Sequence, residues 1–284
     1  MKRFLLLTIL ISSFGACTND AQHRDLLTLS SDFNECVAAR RGTCCDIYNE
    51  LIQTAIRYDI EVDDSSPYNI YVGLQDHEGW KAPSNSYNGA IGTPHWNIVG
   101  MWDGMYHKVD KKNNRWLYFT TQFGSHHRVD QLNGTRQKIE PKPNNGLKYR
   151  YTWNTPIEIS PHNSKIIYTG GQYLLRSKDR GDNWEAISDD LTSNDSIKIA
   201  GKGHIMYCTI TSISESPMKQ GLIWVGTDDG KIHLTKNAGR SWFESTKALV
   251  SAGAPKNYWI SRVTTSKQDR KSTRLNSSHL VISY

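Results

Sequence analysis

The 284-residue chain lacks the signatures of several common protein classes. Its five cysteines form no CxxC pair, which argues against a structural zinc site. Its mean hydropathy of −0.59 excludes a bundle of membrane helices. The sequence contains no P-loop, no Gly-rich dinucleotide fingerprint and no nucleophile-elbow serine. We therefore expect neither a nucleotide cofactor nor a serine-hydrolase site, and no cofactor of another kind is indicated.

The sequence also lacks any run of five or six like charges, although its net charge is +6. Lys2 and Arg3 supply two of these charges and residues 269–284 supply a net two, which leaves +2 for residues 18–268. Nucleic-acid binding needs clustered Lys and Arg, so we expect no nucleic-acid partner. Nine Trp and 14 Tyr in a chain that is 22% charged predict a folded protein of short strands and turns.

The N-terminus has the pattern of an export signal. A basic Met1-Lys2-Arg3 is followed by an apolar run from Phe4 to Phe14, which is too short to anchor the chain across a bilayer. Phe14-Gly15-Ala16-Cys17 resembles a bacterial lipobox, which would make Cys17 the lipidated first residue of the mature chain; the alternative is plain cleavage after Ala16. We assign residues 1–17 to a signal peptide. We expect an exported protein of the outer membrane, periplasm or cell surface that contacts the membrane only through a lipid anchor.

Two further segments stand apart from the main domain. Residues 18–50 remain an unassigned lead segment, in which an oxidising compartment would permit a disulfide from Cys36 to Cys44 or Cys45. Residues 269–284 resemble the translation of a sequencing-adapter oligonucleotide, so we expect an assembly artefact and a natural sequence that continues past Gln268.

The segment from 51 to 268 contains a repeat. Four short apolar runs carry an equivalent aromatic residue, and three of the runs end on glycine. These aromatic residues, spaced 47, 50 and 56 positions apart, are Tyr71, Tyr118, Tyr168 and Trp224. Repeats of this length are typical of propellers. We predict an all-β fold, a partial β-propeller of about four four-stranded antiparallel blades, in which each run opens a copy. We also predict that the alternating segment Ile56–Val62 ends an earlier blade.

Two copies continue into a sharper motif, Ser/Thr-x-Asp/Asn-x-Gly-x-x-Trp. Its members are Ser177, Asp179, Gly181 and Trp184, and then Thr235, Asn237, Gly239 and Trp242. The Asp or Asn can bond to backbone N–H groups of its own turn, and glycine adopts positive φ at low cost, so a hairpin is predicted. These residues resemble Asp-box (BNR) repeats, which occur in sialidases, sortilin-type receptors and xyloglucan-cleaving propellers. We expect them to be structural.

Other stretches are similar to exported bacterial sortilin-N-like propellers, often named glycosyl-hydrolase-like. They are 71–76, 102–104, 153–156 and 210–217. The resemblance covers about residues 51–268. It implies a binding scaffold or a glycoside hydrolase.

The candidate site residues lie at predicted loops. Asp76 and Asp103 are weak candidates for a carboxylate pair of the kind that glycoside hydrolysis requires, and the alternative is that each caps a turn. The expected ligand face consists of Gln75, Trp80, Trp96 and Trp102. The three tryptophan rings would stack on sugars or, alternatively, pack between blades. Five histidines between His77 and His127 show no metal-ligand spacing, and we expect surface or loop positions for them and no metal.

Three functions follow from these features. The first is a scaffold that binds an extracellular carbohydrate or protein ligand. The second is a glycoside hydrolase of the xyloglucan-cleaving or sialidase-like type, and the third is an assembly factor for exported proteins. Hydrolysis predicts two carboxylates roughly 5–10 Å apart in one cleft. Binding predicts exposed Trp or Tyr without that pair, and assembly predicts a broad apolar patch.

Overall fold

The computed structural model describes residues 57–87, 89–143, 148–200, 206–254, 256–266, 272–276 and 280–283. The predicted signal peptide, the lipobox-like Cys17 and the disulfide considered for Cys36 lie outside these residues. Within them, the two α-helices are α1 (Ser196–Ile199) and α2 (Thr246–Ser251), and no helix in this part of the chain is long and apolar enough to span a bilayer.

The fold is all-β, with four consecutive four-stranded antiparallel sheets that form propeller blades. Blade 1 contains β1 (Arg57–Val62), β2 (Asn69–Leu74), β3 (Gly79–Pro83) and β4 (Asn97–Ile98). Blade 2 contains β5 (His107–Val109), β6 (Trp116–Thr121), β7 (Ser125–Asp130) and β8 (Thr135–Lys138). Blade 3 contains β9 (Ile157–Ile159), β10 (Ile167–Gly170), β11 (Leu174–Ser177) and β12 (Glu185–Ala186). Blade 4 contains β13 (Ile210–Glu215), β14 (Ile223–Thr227), β15 (Ile232–Thr235) and β16 (Phe243–Glu244). The predicted partial propeller is therefore confirmed.

A fifth sheet of three strands follows blade 4. It contains β17 (Arg262–Thr265), β18 (Ser272–Asn276) and β19 (Leu280–Ser283). Its last two strands fall in the segment whose sequence resembles an adapter translation, and the origin of that segment stays a prediction.

The alternating strand direction gives the propeller two faces. We call upper the face that carries the turns from the second to the third strand of each blade and the connections from one blade to the next. The lower face carries the turns from the first to the second strand and from the third to the fourth. The first strand of each sheet contacts the first strand of the next, so β1, β5, β9, β13 and β17 line the central axis.

The repeated aromatic residues pack between blades. Tyr71 lies in one buried cluster with Leu117 and Phe119 of blade 2, and Tyr118 lies in the next cluster with Ile157 of blade 3. Tyr168 and Trp224 pack in the same way against the blades that follow them. Burial of these large rings supplies much of the apolar area that holds neighbouring blades together.

The glycines that end these runs permit close approach of the next blade. A Cβ added to Gly73 would lie 2.1 Å from the carbonyl oxygen of Met105, and one on Gly170 would lie 2.6 Å from Ile210 Cβ. Thr120 stands at the corresponding position of blade 2, where its hydroxyl donates to the Thr155 carbonyl at 3.1 Å. At the position where the other runs have glycine, Thr120 therefore makes a side-chain hydrogen bond to the neighbouring backbone.

The two Asp/Asn hairpins, residues 177–184 and 235–242, have the same hydrogen bonds. Asp179 Oδ1 accepts from Ser177 Oγ at 2.8 Å and from the Asn183 N–H at 2.9 Å. Asn237 Oδ1 accepts from Thr235 Oγ1 and from the Ser241 N–H, each at 3.0 Å.

The tryptophans that end these hairpins join them to the preceding blades. Trp184 Nε1 donates to the Ile139 carbonyl at 2.8 Å, and Trp242 Nε1 donates to the Ile187 carbonyl at 2.9 Å. The predicted turn chemistry is present at both positions, on the lower face.

Two predictions about local structure were wrong. The apolar runs are the second strands of their blades, so the segment predicted to end an earlier blade is β1, the inner strand of blade 1. His107, His126 and His127 are buried strand residues rather than surface or loop residues. Burial lowers the pKa of His107 to about 4 and that of His126 to about 3, so both are neutral at pH 7.

Candidate ligand-binding face

The upper face concentrates strained backbone. Among the described residues, nine non-glycine residues have positive φ, and seven of these lie in upper-face connections. They are Asp76, Glu78, Trp102, Phe123, Asn194, Cys208 and Asn257. Left-handed backbone is energetically costly for bulky residues, and such conformations cluster at functional sites. The upper face is therefore the candidate functional face.

The structure brings Asp76 and Asp103 together. Asp103 Oδ1 accepts a 2.7 Å hydrogen bond from the backbone N–H of Asp76. Asp103 is 5% exposed, whereas Asp76 is exposed. Burial, together with the adjacent Asp76 carboxylate, raises the pKa of Asp103. The Gln122 side chain donates to Asp103 and partly offsets that shift.

Trp102 presents its ring to solvent beside this pair. Its side chain is 73% exposed at a φ of 54°, and its carbonyl accepts from the Glu78 N–H at 2.9 Å. This hydrogen bond ties the β4–β5 connection to the β2–β3 turn. The backbone under Trp102 is therefore fixed, although its ring has little protein contact.

Phe123 forms a second exposed aromatic position in the β6–β7 turn. It has a φ of 56°, and its ring meets that of Trp153 edge-on at a centroid distance of 5.2 Å. Its N–H donates to the Trp153 carbonyl at 3.3 Å. Gly124 follows, and a Cβ there would lie 2.4 Å from the Tyr151 ring, which explains why glycine is required.

More aromatic rings continue around the same face. Tyr149 and Tyr173 are half-buried and meet edge-on at 6.1 Å. Tyr258 and Trp259 are exposed in the β16–β17 connection. The upper face therefore carries aromatic rings from connections of all four blades.

The other predicted ligand-face residues lie elsewhere or are covered. Gln75 is half-buried at the start of the Asp76 turn. Trp80 is half-buried on β3 and donates from Nε1 to the His77 carbonyl. Trp96 is 7% exposed and packs against Val72 and Leu74 from the connection on the lower face. Of the three tryptophans, Trp102 is the exposed one.

A second polar set, not identified as a site from the sequence, lines the central axis. Lys108 Nζ lies 3.3 Å from Glu61 Oε2, 3.5 Å from Glu158 Oε2 and 3.6 Å from Asp59 Oδ2. Arg262 of β17 contacts Asp59 Oδ1 at 3.2 Å and so connects the fifth sheet to blade 1. In the sequence, the alternation of apolar and polar residues along β1 indicated one polar face. Strands β5 and β9 have only three residues each, too few to show such an alternation.

No group of three or more His, Cys, Asp or Glu side chains in the described part of the chain is arranged to hold a metal ion. Lys108 occupies the centre of the axial carboxylates, which is the position that a cation would take there.

The sequence matches no known family model and has no significant match among curated proteins. Among solved structures, it is similar to the GH74 xyloglucanase from Xanthomonas campestris, with a TM-score of 0.48 and 12% identity over 76% of this chain and 34% of the enzyme. It is also similar to Sqt1 from Saccharomyces cerevisiae, with a TM-score of 0.48 and 14% identity over 73% of this chain and 52% of Sqt1. The chain thus spans about a third of the length of the first protein and about half of the second.

Proposed function

We propose that this propeller binds an extracellular glycan through the aromatic side chains of its upper face. The observation that carries the proposal is the exposure of Trp102 and Phe123 on strained, left-handed backbone. The Trp102 ring is 73% exposed and buries little apolar area in the free protein, so folding gains little from holding it in a costly conformation. Stacking on a sugar ring would supply that gain when a ligand is bound.

The same proposal includes the fold type of the chain and its location in the cell. The hairpin hydrogen bonds at Asp179 and Asn237 support the Asp-box assignment and, with it, a relation to exported propellers of the sortilin-N-like type. The N-terminal pattern supports export and a lipid anchor on Cys17. On this view the chain presents its upper face outside the cytoplasm.

Binding is favoured over hydrolysis by the spacing of the two carboxyl groups. The raised pKa of Asp103 beside Asp76 is what a general acid needs, and it is the observation that favours an enzyme. Retaining glycosidases hold their carboxyl groups about 5 Å apart and inverting ones hold them farther apart. Asp103 Oδ1 accepts from the Asp76 N–H at 2.7 Å, so the Asp103 carboxyl group is bound to the turn that carries Asp76 rather than held across a cleft from it. Their geometry suits a braced turn that supports Trp102.

A glycan is also favoured over an apolar protein partner. The exposed rings of the upper face are separated by polar loop residues, among them Asp76, Asp189 and Asn194. A partner-binding patch would be contiguous and apolar.

The first test is binding of the full chain to neutral polysaccharides in affinity electrophoresis, with xyloglucan, mixed-linkage glucan, xylan and mannan as probes. We expect retention by at least one polysaccharide, and Trp102→Ala is expected to weaken it about ten-fold or more, since buried aromatic anchors dominate such contacts. Tyr87→Ala is the matched control, because Tyr87 is fully exposed on the lower face.

Two results would contradict the proposal: no retention by any probe, or equal losses in the Trp102 and Tyr87 variants. Release of reducing ends that disappears in both Asp76→Asn and Asp103→Asn would show hydrolysis in place of simple binding.

A further inference from the structure

The central axis encloses a cavity of about 590 Å³ that is separate from the upper-face site. It extends along the inner strands and reaches the lower-face turns at Asp64, Lys112 and Pro217. Pockets that hold small molecules have volumes of about 300–1,000 Å³, so the space suits one small ligand.

Side-chain alternation brings charged side chains into the wall of this cavity, next to apolar ones such as Ile159 and Ile213. On β5 and β9, Lys108 and Glu158 point toward the axis, whereas the adjacent Val109 and Ile157 pack between blades. On β17, Arg262 reaches the axial Asp59, whereas Val263 is buried against blade 4. Every inner strand contacts its neighbour, so these polar groups face a common space.

The charged groups around Lys108 in this wall already have partners. Lys108 has three carboxylates within 3.6 Å, Lys111 Nζ lies 3.0 Å from Glu61 Oε1, and Arg262 is paired with Asp59. Although burial raises it, the pKa of Glu61 is lowered to about 2 by Lys108 and Lys111, so this carboxylate is fully ionised. A charged ligand would have to lose its hydration here without an unpaired partner of opposite charge, which is costly.

Glu158 has the fewest ion-pair contacts of the three carboxylates around Lys108. In the described part of the chain it makes one, the 3.5 Å contact with Lys108, and one third of its side chain is exposed. Ser164 and the exposed Thr264 add hydroxyl groups to the same lining. A protonated carboxyl group both donates and accepts hydrogen bonds, as do hydroxyl groups, and this is the complement of a polyol.

We propose that the axial cavity is a second binding site, for a neutral, hydroxyl-rich ligand of mono- or disaccharide size, which Glu158 anchors by hydrogen bonds. The site is independent of the upper-face site and opens toward the opposite face.

The charge state of Glu158 gives this site a pH dependence. Burial raises the pKa of Glu158, and the carboxylates of Glu61 and Asp59 on β1 raise it further, whereas Lys108 on β5 lowers it. Arg262 of β17 is the other cation that faces it. From β10 and β13 it is faced by Tyr168, its register partner, and by the uncharged Ser212 and Ser214. Because the donor proton is lost as the pH rises through the raised pKa, the ligand should bind more weakly at high pH.

The test is titration of the full chain with glucose, cellobiose and xylobiose between about pH 4 and about pH 8, followed by saturation-transfer NMR. We expect affinity to fall as the pH rises. Glu158→Gln keeps one donor and one acceptor, so it should bind at all pH values and lose the pH dependence. Glu158→Ala should bind about ten-fold more weakly or worse at low pH. Glu185→Gln, on the exposed outer strand β12, is the control and should behave like the parent chain.

Several results would overturn the proposal. These are the absence of binding of any probe to the folded chain, an affinity that does not change with pH, and loss of pH-dependent binding in Trp102→Ala. The last result would place the probe on the upper face. The Trp102 variant tests retention of polysaccharide on the upper face, and the Glu158 variants test binding of small saccharides in the cavity. Either proposal can therefore be contradicted without the other.

Discussion

Asp228 is a buried carboxyl group that ionises close to neutral pH. Its Oδ1 accepts from the Thr209 N–H at 2.9 Å, and its Oδ2 accepts from Thr209 Oγ1 at 2.7 Å. Burial nevertheless raises its pKa to about 6. The folded state therefore binds the proton more tightly than the unfolded chain does, and the free energy of unfolding falls as the pH rises from about 4 to about 6.

We predict that Asp228→Asn removes this contribution. The parent chain should lose up to about 3 kcal/mol relative to the variant between about pH 4 and about pH 6, with no further change above that range. The measurement is urea unfolding of both proteins across this range. Asp189→Asn, at an exposed position, is the control. Stability curves of parent and Asp228→Asn that run parallel would contradict the prediction.

The sequence predicted individual site residues unevenly. Asp76 and Asp103 were both predicted to lie in loops, and they do meet, because the two loops emerge on one face. The positions of Trp80 and Trp96 could not be separated from that of Trp102, since all three have the same chemistry and only the blade packing decides which ring is covered. The strain at Trp102 and Phe123 had no sequence signal, because neither residue type indicates positive φ.

The two Asp/Asn hairpins are equivalent elements that differ in one titratable group. We predict that Asp179→Ala and Asn237→Ala each cost about 1–2 kcal/mol at pH 7, because each leaves a backbone N–H and a hydroxyl without their partner. Although partial burial raises it, hydrogen bonds from Asn183 and Ser177 lower the pKa of Asp179 on balance. Its contribution should therefore fade as the pH falls below about 4, whereas that of Asn237 should not.

Thermal unfolding of both variants at about pH 3 and about pH 7 checks this difference. Lys236→Ala, at an exposed position of the second hairpin, is the control and should change little. Losses of stability that are unequal at pH 7 would mean that the hairpins are not equivalent. Losses that respond alike to acid would contradict the predicted effect of Asp179 ionisation.

Elements with strong local signals were predictable and those without were not. The hairpins and the second strands β2, β6, β10 and β14 carry glycine turns or dense apolar runs, and both were identified. The inner strands β5 and β9 have three residues each, and their central residues, Lys108 and Glu158, are polar because they face the axis. Such strands resemble loops in a sequence, so the repeat predicted from the apolar runs begins at the second strand of each blade instead of the first.

The axial cluster is a property of the whole molecule. Asp59, Lys108, Glu158 and Arg262 come from four different sheets and are about 50 to 100 residues apart along the chain. Their proximity depends on the packing of different sheets, and that of Asp59 and Arg262 on contact between the first and fifth sheets, so no local pattern could have predicted it. The same dependence makes the Asp59–Arg262 pair, 203 residues apart, a probe of whether the first and fifth sheets hold each other.

We predict that Asp59 and Arg262 are energetically coupled. Asp59 is almost fully buried, so removing Arg262 leaves its carboxylate with Lys108 alone, at 3.6 Å. In a double-mutant cycle of Asp59→Asn and Arg262→Gln, we expect a coupling energy of about 1–2 kcal/mol, less than for a fully buried pair because the Arg262 side chain is 36% exposed. The exposed Lys231–Glu244 pair within blade 4 is the control, with coupling below about 1 kcal/mol.

Hydrogen exchange distinguishes coupling between the first and fifth sheets from a loss of stability within one sheet. Because β1 and β17 lie in different sheets, a substitution on one should speed amide exchange in the other only if the pair joins the two sheets. We expect Arg262→Gln to speed exchange in β1 as well as in β17, and Asp59→Asn to do the reverse. Energies that simply add, with faster exchange confined to the substituted strand, would mean that the first and fifth sheets are independent and that the axial cavity is not enclosed on that side.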